Sequence, residues 1–219
     1  MEKRRDSATA YIILADGFET IEALTPLDVL RRCGVEVTTI SLNKTRAVRS
    51  SHGVTVEADA TMEDFMHNCN CCASGTGTGT SNAGTSSSAG SSTTASSAVR
   101  QALILPGGYP GYKNLCESAE VGALITQFHK EGKLLCAICG APTALKANQI
   151  CRGAAITCHT SVKEELSDYY SILSSAVVKY MNIITGMGAG RSLEFAFAIA
   201  ESLTSKEKVE EIKAKMEII

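Results

Sequence analysis

An α/β sandwich on a mostly parallel sheet is the fold predicted by three features of the sequence. Apolar, β-rich runs alternate with helical patterns from one end of the chain to the other. The first three segments, at residues 11–15, 20–32 and 37–42, read as strand, helix and strand, a βαβ unit. The 219 residues, 44% hydrophobic and 20% charged, suffice for a single core and are far from the composition of a disordered or fibrous chain.

The run Tyr11-Ile12-Ile13-Leu14-Ala15 supplies the first strand, and the helical pattern after it stops at Gly34, a residue type that readily ends helices. Further strands are predicted at 54–57, 102–105, 134–138, 155–157 and 183–185, and helices near 62–66, 121–130, 142–147 and 192–203. Leu193, Ala196, Phe197, Ala200 and Leu203 recur at three- and four-residue spacing, an apolar stripe suited to packing on a sheet. Residues 206–216 mix charges with Val209, Ile212 and Met216, as a surface helix does. The stretch at about 68–98 is almost entirely Ser, Thr, Gly, Ala and Asn, with no large apolar anchor. It is expected to be a disordered insertion within one domain spanning 1–219.

With 21 basic and 23 acidic side chains the formal charge is -2, so no chain-wide cationic field is available to hold nucleic-acid phosphates, and nucleic-acid binding is not expected. Lys3-Arg4-Arg5 precede an apolar run too short for a signal-peptide core. No stretch approaches the roughly 18–20 uninterrupted apolar residues of a membrane span. A cytoplasmic protein is the expectation. The nine cysteines are odd in number, in a chain large enough to build a core without disulfides, and should be mostly reduced thiols. Cys69, Cys71 and Cys72 lack a second ligand pair at fitting distance, so no metal site is expected there.

The chemistry concentrates at Leu134-Leu135-Cys136-Ala137-Ile138-Cys139-Gly140-Ala141-Pro142. A buried strand ends at Cys139 and turns directly into a helix, with Pro142 suited to the first helical turn. That is a nucleophile-elbow pattern carrying Cys, and it pushes the thiol into the cleft at the strand's C-terminal end. The following helix N-terminus favours a thiolate, so Cys139 is expected to be acidic and reactive. Packing as a small hydrophobe is the alternative. A Cys136–Cys139 redox or metal pair is disfavoured, because residues three apart in a strand face opposite ways. Leu105-Pro106-Gly107-Gly108 ends another buried strand, and its glycines let backbone amides approach a ligand. The amides of Gly108 and Gly140 are candidates for an oxyanion hole beside Cys139.

Ala15-Asp16-Gly17-Phe18-Glu19-Thr20-Ile21-Glu22, the Leu-Pro-Gly-Gly turn, Ala137-Ile138-Cys139-Gly140-Ala141-Pro142-Thr143-Ala144-Leu145 and Gly188-Ala189-Gly190-Arg191-Ser192-Leu193-Glu194-Phe195-Ala196 together resemble the ThiJ/PfpI superfamily, and within it the deglycase branch. The resemblance covers nearly the whole chain outside the N-terminal residues and the Ser/Gly/Thr-rich stretch. It implies a flavodoxin-like three-layer sandwich, usually a homodimer. It also implies a reactive Cys at Cys139, an acidic partner at Glu22 and a nearby His at His159. Members of the family are described as glyoxalases, as deglycases of early glycation adducts and as oxidative-stress sensors.

Glu22 opens a helical pattern just after the first strand and can lie over the same sheet edge as Cys139. Beside a thiolate its carboxyl should keep its proton, because two adjacent negative charges are costly. Glu19 competes for the same role. His159 follows a strand and is a candidate general base, although no Asp or Glu orienter stands close behind it to complete a triad. The protease-like branch carries His directly after the nucleophile, where this chain has Gly140; the deglycase branch typically carries Ala there. The activity expected is cofactor-independent conversion of methylglyoxal-type dicarbonyls, or of their early protein adducts, through Cys139, Glu22, His159 and the amides of Gly107, Gly108 and Gly140. The alternatives are a redox sensor or chaperone acting through oxidation of Cys139 and, behind it, a Cys hydrolase.

Overall fold

In the computed structural model, which describes residues 8–68 and 100–218, the first apolar run forms β1 (Thr9–Leu14) near the middle of the sheet. Ala10, Ile12, Ile13 and Leu14 are all buried, because layers of helix cover both faces of a central parallel strand. That is why the strand reads as a continuous apolar run and not as an alternation. The chain continues through α1 (Thr20–Arg32), β2 (Glu36–Ser41), β3 (Ala47–Arg49), β4 (Thr55–Glu57), β5 (Ala60–Thr61), α2 (Met62–Asn68) and β6 (Gln101–Leu105). The next elements are α3 (Gly111–Glu117), α4 (Ala119–Lys130), β7 (Leu134–Ile138), α5 (Pro142–Ala147), β8 (Ala155–Ile156) and α6 (Lys163–Leu166). The last are β9 (Ser171–Ile172), β10 (Val177–Tyr180), β11 (Ile183–Gly186), α7 (Ser192–Leu203) and α8 (Lys206–Lys215).

Seven strands form the main sheet in the order β10-β11-β7-β6-β1-β2-β5. Every neighbouring pair is parallel except β10 with β11, an antiparallel edge that the sequence reading did not include. One core layer packs residues of α1, α7 and α8, such as Leu30, Phe195 and Ile212, against Ile12, Ile104 and Cys136 of the sheet. The other packs Leu124 and Phe128 of α4 and Leu145 of α5 against Ile13, Leu103 and Leu135. Adjacent strand residues thus feed opposite layers, and the result is a three-layer α/β sandwich.

Two of the predicted strands lie outside the main sheet. β4 pairs antiparallel with β3 in a small hairpin, and β8 pairs with β9. Only Val56 of β4 is half-buried, too little apolar surface to demand a place in the core. The Ser/Gly/Thr-rich stretch at about 68–98, with Cys69, Cys71 and Cys72, lies outside the described residues apart from Asn68, which ends α2. No helix among the described residues is long and apolar enough to cross a membrane.

Phe128 is fully buried beneath the sheet, its ring edge-on to Tyr11 with centroids 6.1 Å apart and the Lys133 ammonium 5.1 Å from its centroid. Phe128→Ala should cost about 3–5 kcal/mol. The check is urea unfolding, where the midpoint falls with an unchanged slope.

Candidate functional site

Three parallel strands, β1, β6 and β7, lie side by side and deliver their C-terminal ends to one edge of the sheet. The chain leaves β1 toward β2 on one side while β6 lies on the other, so strand order reverses at β1 and opens a crevice there. Glu22 follows β1, Gly107 and Gly108 follow β6, and Cys139 follows β7. The topology therefore brings together three segments that are far apart in sequence.

Cys139 has φ of 65°, a left-handed conformation that a side-chain-bearing residue adopts only under constraint. The constraint is visible in its backbone bonds. Its N–H donates to Gly186 at 3.0 Å, and its carbonyl accepts from the His159 N–H at 2.9 Å. The turn leaves the thiol half-buried at the strand end. The amides of Gly108 and Gly140 both hydrogen-bond the sulfur.

Glu22 is fully buried in the first turn of α1. Its Oε2 accepts from the Gly107 N–H at 2.9 Å. Oε1 is buried with no nitrogen or oxygen partner, which leaves the carboxyl free to share a proton with the Cys139 thiol, its side-chain hydrogen-bond partner. Glu19 takes a different role. It caps α1, accepting the Glu22 N–H through Oε2 at 2.8 Å. The absence of a side chain at Gly107 matters here: a Cβ would stand 2.6 Å from both Cys139 Cβ and Glu22 Oε2. The strand end passes between thiol and carboxyl only because nothing projects from it.

Burial pushes the Glu22 carboxyl up to about 7, further than its bonds to Cys139 and Gly107 pull it down. Burial, then the neighbouring Glu22 carboxylate, pushes the Cys139 thiol up to about 12 against the pull of the Gly108 and Gly140 amides. This corrects the expectation of a simply acidic thiol. The helix behind it, α5, is only six residues long, and it does not outweigh desolvation and a carboxylate in contact. Cys139 and Glu22 behave as one unit that gives up a first proton near neutrality and holds the second.

His159 stands apart from this unit. Its backbone touches Cys139, but its ring is exposed and caps the short turn that follows, Nδ1 lying 2.9 Å from Ser161 Oγ and accepting the Ser161 N–H at 3.2 Å. In the neutral ring the proton is then on Nε2. In this geometry the Nδ1 of His159 is engaged with Ser161. Cys136 is fully buried in the strand, and the described cysteines are all free. Burial raises Cys33, Cys116, Cys151 and Cys158 as well.

Sequence reasoning missed Tyr112, whose ring packs on Gly140. Its only signal is the Tyr-Pro-Gly-Tyr run immediately after the Leu-Pro-Gly-Gly turn.

An α/β sandwich with a cysteine on a strained strand-to-helix turn and a buried glutamate against it defines a class, and comparison with known proteins agrees. The pattern of the DJ-1/PfpI family matches residues 8–202. The chain belongs to the DJ-1/PfpI family. It is 34% identical to the protein dj-1beta of Drosophila melanogaster over 94% of this chain and 95% of that one. The crystal structure of that fly protein superposes with a TM-score of 0.80, covering 97% of this chain and 99% of the other at 32% identity. The glutathione-independent glyoxalase DJR-1.2 of Caenorhabditis elegans is 29% identical over 91% of both chains.

Glu22 binds its proton more tightly in the folded chain, near pH 7, than its ordinary value of 4.5 allows. Across that window the folded state holds the extra proton, so stability falls as pH rises through it. Glu22→Gln is neutral and escapes the fall. Its thermal midpoint relative to wild type, followed by circular dichroism, should rise between about pH 4.5 and about pH 8.

Proposed function

We propose that this protein is a cysteine-dependent glyoxalase that needs no cofactor, acting on methylglyoxal-type 2-oxoaldehydes or on their early adducts with proteins. One observation carries this: a half-buried thiol held between two backbone amides and a buried carboxyl that retains a proton near neutrality. The worm relative supports it by its name.

In the proposed reaction the Cys139 sulfur adds to the aldehyde carbon, forming the S–C bond of a hemithioacetal as the carbonyl π pair moves to oxygen. The amides of Gly108 and Gly140 point at the sulfur and lie close enough to stabilise that oxygen. Glu22 supplies the proton that neutralises it, then takes the proton from the former aldehyde carbon to give an enediol and returns it to the former ketone carbon, while the hydroxyl proton passes to the ketone oxygen, leaving a 2-hydroxy thioester. Water cleaves the thioester, releasing a 2-hydroxy acid and restoring the thiol. The net change is methylglyoxal plus water to lactate, an internal oxidation and reduction in which no external electron acceptor takes part.

Cys peptidase chemistry is a poorer fit. A Cβ on residue 140 would lie 2.6 Å from the Tyr112 ring, so the His that follows the nucleophile in the protease-like branch has no room. A sensor role through oxidation of Cys139 to a sulfinate draws on the same donors: two amides and a protonated carboxyl suit its oxygens as well as an oxyanion.

The test is lactate formation from methylglyoxal by wild type, Cys139→Ser and Glu22→Gln. Cys139→Ser should abolish turnover, and Glu22→Gln should lower kcat by about 100-fold or more. Undiminished turnover in Cys139→Ser would refute the mechanism. A wild type that makes no lactate but gains two oxygens at Cys139 in mild peroxide would favour the sensor.

A further inference from the structure

Tyr112 lies in the first turn of α3, and nothing in the chemistry above uses its side chain. Its N–H donates to the Gly108 carbonyl at 2.9 Å, so it is tied to the residue whose own amide faces the Cys139 sulfur. Its ring covers the other donor residue. A Cβ on Gly140 would lie 2.6, 2.8 and 2.9 Å from the consecutive ring atoms Cδ1, Cγ and Cε1. The ring thus occupies the space that a side chain at position 140 would fill. Tyr112 is half-exposed, and its phenol is close enough to Cys139 to feel the charge on that sulfur.

Tyr109 extends the same surface. It is 69% exposed, unusual for a large aromatic residue, and its ring centroid is 6.3 Å from that of Tyr112 at a 56° tilt. The surroundings of the sulfur are therefore two-sided. The Glu22 carboxyl and the Gly107 strand end form a polar side with no room for substrate carbon. The Tyr109–Tyr112 pair forms an aromatic side open to solvent. A 2-oxoaldehyde attacked at its aldehyde carbon has one other part to place, the substituent on its ketone.

We propose that Tyr112, with Tyr109, is the specificity-determining aromatic wall beside the Cys139 thiol, and that the preferred substrates are 2-oxoaldehydes whose ketone substituent is planar and apolar. This deepens the glyoxalase function and rests on it. A planar substituent gains ring contact that a methyl group is too small to make.

The experiment pairs two readouts on wild type, Tyr112→Ala, Tyr112→Leu and Tyr112→Phe. The first is kcat/KM for phenylglyoxal relative to methylglyoxal. The second is the rate of Cys139 alkylation by iodoacetanilide relative to iodoacetamide, followed by peptide mass, which needs no turnover. Wild type should favour the aromatic reagent in both. Tyr112→Ala should lower both ratios about tenfold, and Tyr112→Phe should retain them. Tyr112→Leu keeps apolar volume without the ring and should fall in the same direction, which covers the case of an unfolded alanine variant. Ratios in Tyr112→Ala and Tyr112→Leu equal to wild type overturn the proposal. If wild type turns over neither dicarbonyl, the glyoxalase function fails, while the alkylation ratio still decides whether the wall selects aromatic groups.

Discussion

A carboxyl and a thiol buried against each other cannot both be charged, and the site is organised around that constraint. Glu22 has no solvent to stabilise its anion, and Cys139 has little. Separately each would stay neutral; together they share one dissociable proton near neutrality. The Gly107 amide holds one carboxyl oxygen, and the Gly108 and Gly140 amides hold the sulfur. Donors are therefore present for the single negative charge wherever it resides. A thiol protonated and deprotonated through its neighbour can act as a nucleophile without a separate histidine base, consistent with a His159 ring engaged with Ser161.

Holding that contact demands rigidity. The left-handed backbone at Cys139 costs on the order of 1–3 kcal/mol. It is offset by strands on both sides, β6 and β11, whose residues beside β7 are fully or almost fully buried. Glu19 contributes indirectly by capping α1, which sets the first turn from which Glu22 enters the crevice. Glu19 is the nearer carboxylate in sequence to the strand end, yet its cap bond to the Glu22 amide commits it elsewhere.

In the proposed glyoxalase, the two sides of the Cys139 thiol divide the labour between reaction and selection. Groups that handle charge lie just beyond the C-terminal ends of β1, β6 and β7, beside the point where strand order reverses. The aromatic pair comes from the start of α3 and the turn before it, a segment outside the sheet. Gly140 links the two, since its amide faces the sulfur while its missing side chain admits the Tyr112 ring. A substitution at 140 would therefore disturb both at once.

Much was legible in the sequence alone. Continuous apolar runs such as 102–105 and 134–138 announced strands buried on both faces, and the boundaries at Thr20–Arg32, Pro142–Ala147 and Ser192–Leu203 followed from helical spacing and end signals. Cys139 was legible because a strand-to-helix turn with small residues after it is a local pattern. The antiparallel edge strand, the β3–β4 hairpin and the β8–β9 pair were not, because short, partly exposed strands carry too little apolar pattern to reveal their partners. The raised proton affinity of the thiol, the capping role of Glu19, the His159–Ser161 contact and the Tyr112–Gly140 contact were decided only by tertiary structure. Each depends on which groups meet across tens of residues of chain, and burial and electrostatic coupling act through space.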